Sequence, residues 1–225
     1  MYYYLLLVVP ALLITAWAQY KVKSTFHKYS HYATASGMTG EMASRLIQQA
    51  NGIHVSVSPV AGELTDHYDP RSDSIHLSEP VYGVNSVAAV GVAAHETGHA
   101  LQYAENYEPI RFRMALVPIT NISATVSPYL IMFGLIAGLD MLSYIGIALF
   151  SVAVLFQLVT LPVEFNASRR AVAALQASGQ FSNTELKHVQ KVLFAAAMTY
   201  VAALLVSLMN LLRLVLLVAG RRRRN

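Results

Sequence analysis

The sequence predicts a mainly α-helical membrane protein: three to four transmembrane helices and a small α+β domain. Three observations predict it. Of the 225 residues, 55% are hydrophobic and only 12% charged, whereas soluble domains carry about 25% charged residues. Long uncharged apolar runs recur at the start, in the middle and near the end of the chain. Between the first two lies a polar segment with short alternating stretches and two helix-like patterns. Cysteine is absent, which excludes a disulfide framework and thiolate chemistry and leaves His, carboxylate and water for any metal site. The net charge of +4 owes much to Arg221 to Arg224. Basic residues beside apolar spans meet lipid headgroups and set topology, so this charge does not point to nucleic acid.

Tyr2 to Tyr20 is an uncharged apolar run long enough to span a bilayer with little tilt. Ala16, Trp17 and Ala18 have the small-residue pattern of a signal-peptidase site. No basic residue precedes the run, however, and Lys21, Lys23 and Lys28 follow it. That order favours a retained anchor with its C-terminal side in the cytoplasm. Met38 to Ala50 reads as an amphipathic helix, with Thr39 as cap and Asn51-Gly52 as its end. Ile53 to Ser58 and Ser74 to Ser78 alternate, with turn formers from Asp66 to Asp73 between them. They predict a sheet of two or three strands, with Ile75 to Ser78 as an edge open to an extended peptide. A helix over about 86 to 104 follows, capped by Asn85 or Ser86.

Ala115 to Leu139 is the second span, irregular in its proline-containing first half, and Met141 to Leu161 is the third. Thr160 is expected to cap a polar helix that runs to Ser178-Gly179. Val192 to Gly220 is a further apolar segment, interrupted by Asn210 and Arg213, which either spans the membrane or packs along it. The expected divisions are an anchor at 1–20, a first polar part at 21–113, a membrane hairpin at 114–162, a second polar part at 163–190, and an apolar helix with basic tail at 191–225.

The chemistry centres on His95-Glu96-Thr97-Gly98-His99. On a helix, His95 and His99 lie one turn apart on one face and can share a metal, and neutral imidazoles suit zinc. Glu96 is turned by about 100° from His95, which places it to take a proton from a zinc-activated water rather than to ligate. One zinc per chain is expected. A catalytic zinc needs a third protein ligand. No histidine follows His99 until His188, so a distant carboxylate or His188 must serve. Glu164, at the end of an apolar span, is a candidate ligand and equally an acidic residue of a helix's first turn.

His95 to Gln102, followed by Leu161-Pro162-Val163-Glu164-Phe165 and preceded by Tyr68-Asp69-Pro70-Arg71, resembles the YugP-type membrane zinc metallopeptidases over nearly the whole chain. The order of motif, hairpin and Glu-Phe is distantly similar to the HtpX-like gluzincins. The resemblance implies a zincin-like catalytic domain, with His95, His99 and Glu164 holding Zn2+ and Glu96 as general base. It implies a multi-pass cell-membrane endopeptidase that cleaves membrane or membrane-proximal proteins, and the basic residues beside the spans place its catalytic side in the cytoplasm. In the gluzincin pattern an acidic residue four positions after the third ligand orients a histidine; here Ser168 stands there, with Asn166 nearby.

His67 and Tyr200 are further candidates for stabilising the oxyanion. Arg169 and Arg170 read as interfacial anchors or oxyanion donors, His27 and His31 as a solvated face, and His54, His76 and His188 as polar-face residues. The competing functions are a catalytically inactive protease-derived scaffold and a membrane metal-binding protein. The former would not need an intact Glu96. A metal transporter would need ionisable groups inside its spans, and the hairpin has none between Arg113 and Asp140.

Overall fold

The computed structural model describes residues 2–222; Arg223 and Arg224 of the basic tail lie outside the described residues. The elements run α1 (Tyr2–Ser30), α2 (Gly40–Asn51), β1 (Ser56–Val60), β2 (His67–Asp69), β3 (Ser74–Ser78), α3 (Val87–Ala104), α4 (Glu108–Ala137), α5 (Asp140–Ala177) and α6 (Asn183–Arg222). Helices α1, α4, α5 and α6 are each long and apolar enough to cross a membrane. The protein is therefore mainly α, with a small α+β part.

Two compact units divide the chain. One comprises Met1–Ala18, Arg111–Leu161 and Thr199–Asn225; the other comprises Gln19–Ile110 and Pro162–Met198. In the first, α4 and α5 meet through small residues. A Cβ at Gly134 would strike Ser143, and one at Gly146 would strike Ile131 and the Ser127 carbonyl. Small residues allow this approach where apolar transfer gives helices little reason to associate.

The second unit holds the sheet and α3. The α3 helix begins at Ser86, whose side chain accepts from the Ala89 N–H. The other predicted cap, Asn85, instead accepts from the Thr34 backbone and hydroxyl at 2.9 and 2.6 Å. The α2 helix is capped by Thr39 and closed by left-handed Gly52. It packs on α3 through Ala43 and Ile47, which join Val87, Val90, Ala94 and Leu101 in one core. Within that interface the Ser44 and Thr97 hydroxyls bond at 2.7 Å, so the buried polar atoms are satisfied. On the other side of α3, Ala89, Ala93 and Ala100 meet Val57, Ile75 and Leu77 of the sheet.

Two sequence expectations change, the sheet edge and the Thr160 cap. The sheet order is β1-β3-β2, with β3 parallel to β1 and antiparallel to β2. Ile75 to Ser78 is thus the central strand and offers no free edge. The α4 helix runs unbroken through Pro118 and Pro128, and α5 through Pro162. Thr160 therefore caps nothing; its hydroxyl donates to the Phe156 carbonyl at 2.8 Å. The α6 helix is continuous through Asn210 and Arg213, the two polar residues of its apolar segment.

Candidate metal centre

Every residue of this centre lies in the second unit. The α3 helix presents His95 and His99 one turn apart, with ring centroids 4.8 Å apart. The α5 helix supplies Glu164, whose Oε2 lies 3.2 Å from His95 Nε2 and 3.5 Å from His99 Nε2. What lets the two helices come so close is Gly98. A Cβ there would lie 2.6 Å from the Ala167 carbonyl oxygen, so the α5 backbone occupies the space a side chain would need.

The arrangement fits a tetrahedral metal. Ligands about 2.0–2.1 Å from zinc lie roughly 3.3 Å from one another, and the separations of 3.2 and 3.5 Å bracket that value. The three ligand atoms all fall within 4.8 Å of one another. Glu164 is 2% exposed, and a buried carboxylate is costly unless it has such partners.

The rings are held from behind. His99 Nδ1 lies 3.0 Å from Gln102 Oε1, which can only accept, so Nδ1 carries the proton and the Nε2 lone pair points at the centre. The Gln102 amide is itself fixed: its Nε2 donates to the Val163 carbonyl at 2.8 Å and to Asn166 Oδ1 at 2.9 Å. Asn166 Oδ1 also accepts from Arg170 Nε at 2.7 Å, and Arg170 is ion-paired to Glu105 at 2.7 Å. A chain of four contacts thus runs from a surface carboxylate to the His99 imidazole. His95 Nδ1 meets Ser168 Oγ at 3.1 Å. Such partners set the tautomer and ring orientation of ligand histidines.

Burial disfavours the charged form of His99, but the hydrogen bond and charge of Glu164, helped by Glu96, outweigh it and raise the imidazole pKa above its ordinary value. Glu96 is 9% exposed, and among the described residues no hydrogen bond ties down its carboxylate. It remains available to move a proton.

Of the residues read from the sequence, the structure brings together His95, His99, Glu164 and Ser168, with Glu96 beside them on α3. Asn166 reaches the centre only through Gln102. His67 is engaged elsewhere: it stacks on His76 at 4.8 Å and its Nδ1 meets the Thr65 carbonyl. Tyr200 belongs to the first unit. Arg170, read as an anchor or oxyanion donor, links Glu105 and Asn166. Arg169 lines a cavity of about 350 Å³. His188 packs against Tyr29 and Tyr32. Sequence reasoning assigned no role to Gln102; its signal is a polar side chain three residues beyond His99 on an apolar helix.

The model of a family described as "Putative neutral zinc metallopeptidase" matches residues 4–219. The chain belongs to that family. It is also 48% identical, over 223 residues, to the "Putative membrane protease YugP" of Bacillus subtilis (strain 168), covering 99% of each chain. No solved structure gives a significant match. A peptidase family known for zinc agrees with a donor set of two imidazoles and one carboxylate, the set expected of a catalytic zinc with a position left for water.

Proposed function

We propose that the protein is a zinc-dependent endopeptidase of membrane and membrane-proximal proteins, in which His95, His99 and Glu164 hold one Zn2+ and Glu96 is the general base. The observation that carries this reading is the convergence of Glu164 with both histidines, whose other ring nitrogens are already engaged. Bound zinc would supply Lewis-acid activation of water and of the scissile carbonyl. Glu96 takes the proton from the attacking water and passes it to the departing amide nitrogen. Gln102 holds the His99 imidazole in the tautomer that leaves Nε2 free, and Ser168 orients the His95 ring through its Nδ1.

Glu164 lies on the same continuous helix as the apolar segment ending at Leu161. That continuity supports substrates in or beside the bilayer over freely soluble ones. Lys21, Lys23, Arg111, Arg113, Arg169 and Arg170 flank the apolar segments on the side of the catalytic residues in the expected topology, which supports a cytoplasmic active site. The parts 21–113 and 163–190 would then form one catalytic domain around the hairpin 114–162.

Glu96→Gln tests the mechanism. The variant should keep one zinc per chain and lose turnover on a membrane-protein substrate by about 10²-fold or more. Metal content and cleavage are measured on the same preparation. Undiminished cleavage would sink the mechanism; cleavage absent from parent and variant alike would favour an inactive scaffold. Comparing membrane proteomes of cells that carry the parent or Glu96→Gln would reveal the substrates.

A further inference from the structure

A cavity of about 700 Å³ opens in the second unit between α1 and α6. Its rim carries Lys21, Thr25 and Lys28 from α1, and Lys187, Gln190 and Lys191 from α6. The α1 set recurs at i, i+4 and i+7, and the α6 set at i, i+3 and i+4, so each is one helix face. Two basic faces are thus turned towards one space.

Four ammonium groups around one cavity repel one another. Among the described residues none of the four is ion-paired, and no acidic side chain lines the cavity. The acidic group of the adjoining α6 turn, Glu185, is committed to the Ser182 amide and hydroxyl and to the Ala35 amide. The charge is therefore left for a ligand from outside. The remaining lining is apolar and aromatic, including Tyr29 and Phe194, and Phe194 is 60% exposed. An inorganic anion would satisfy the lysines and leave that surface wet.

Both helices continue as candidate membrane spans. On α1, exposed Trp17 and Tyr20 immediately precede Lys21; aromatic residues of this kind settle at the headgroup level of a bilayer. On α6, the sequence turns apolar directly after Lys191. We propose that this cavity binds the headgroup phosphate of an anionic phospholipid, with an acyl chain lying against Phe194. Basic pockets between membrane helices take such headgroups. This site is separate from the metal centre, and its failure or success leaves the peptidase reading untouched.

The test uses the full-length protein in mild detergent, titrated with phosphatidylglycerol or phosphatidylcholine, with bound lipid counted by native mass spectrometry. Each lysine near an anionic surface is worth roughly a factor of five in affinity. Lys187→Gln with Lys191→Gln should therefore weaken phosphatidylglycerol binding roughly 25-fold. Lys187→Arg with Lys191→Arg should retain it, as should the charge-matched control Lys23→Gln with Arg71→Gln. Excess inorganic phosphate should not displace the lipid. If the double glutamine variant does not fold, Lys21→Gln and Lys28→Gln carry the same test singly, at roughly fivefold each. Four results would overturn the proposal: no weakening, equal weakening in the control, equal binding of phosphatidylcholine, or displacement by phosphate.

Discussion

Gly98→Ala should separate the two halves of the metal centre. The new Cβ would lie 2.6 Å from the Ala167 carbonyl oxygen, 3.1 Å from its carbon and 3.3 Å from the Ala167 Cα. Ordinary contact begins near 3.4 Å, so α3 and α5 must part by about 0.8 Å at this level. The obstacle is backbone, and no side chain can swing aside. Ala167 sits one turn beyond Glu164, so the displacement reaches the ligand. Separations of 3.2 and 3.5 Å would grow to about 4 Å, beyond the roughly 3.3 Å that a tetrahedral zinc allows. Overpacking of this kind costs about 1–3 kcal/mol, which corresponds to roughly 5- to 150-fold in zinc affinity if the strain is relieved by opening the site. Gly91→Ala on the same helix is the control. Its Cβ would lie 3.4 Å from Val189 Cγ1, an ordinary contact, so it should be neutral or stabilise by up to about 1 kcal/mol through helix propensity. Chelator competition and thermal melts with and without zinc measure both variants. If Gly98→Ala holds zinc as tightly as the parent, the close helix contact does not set the ligand geometry.

Other outcomes follow from the same centre. Glu164→Gln replaces an anionic ligand by a neutral amide, so the purified variant should retain far less zinc by elemental analysis; parent-like retention would move the third ligand elsewhere, with His188 next to test. Gln102→Leu strands the buried His99 Nδ1–H, at about 1–3 kcal/mol. It should weaken zinc binding about 10- to 100-fold with Glu96 untouched, and unchanged affinity would refute its positioning role. Acidification should expel zinc, because a proton competes for His99 Nε2. Since that imidazole is raised above its ordinary value by Glu164, the loss should begin above about pH 6.5. In the zinc-free protein the sign reverses: the charged His99–Glu164 pair contributes stability below the unfolded pKa and loses it as pH rises through the raised folded value. Chelator titrations and melts between pH 5 and pH 8 check both signs.

The motif helix and its caps were legible because their signals are local. Ser86, Thr39 and Gly52 act within one turn of their own positions. The pairing of strands was not. Alternation marks Ser74 to Ser78 as a strand but does not reveal that β1 lies parallel on one side and β2 on the other. Strand β2 is hidden among turn formers: Asp69 accepts from the Arg71 N–H and the Ser72 hydroxyl while its own backbone pairs with Ser74. Pro162 reads as the opening of a separate polar helix, yet it sits inside an unbroken one. The contact of Glu105 with Arg170 joins residues far apart in the chain, and nothing local announces it. From its own surroundings Glu164 was as legible as an acidic residue of a helix's first turn as a candidate ligand, and family resemblance tipped the balance.

The metal centre is also discontinuous in time. His95 and Glu164 are 69 residues apart, and the second unit is interrupted by the whole of Arg111–Leu161. At about 5–20 residues per second, Glu164 is synthesised roughly 3–14 s after His95. For most of that interval the nascent chain carries Glu96 and both histidines without Glu164. The nearest unfolded polypeptide in reach is the chain itself. Under the proposed ligand set, the three donors cannot converge on one ion until the chain through Glu164, beyond Arg111–Leu161, has been made.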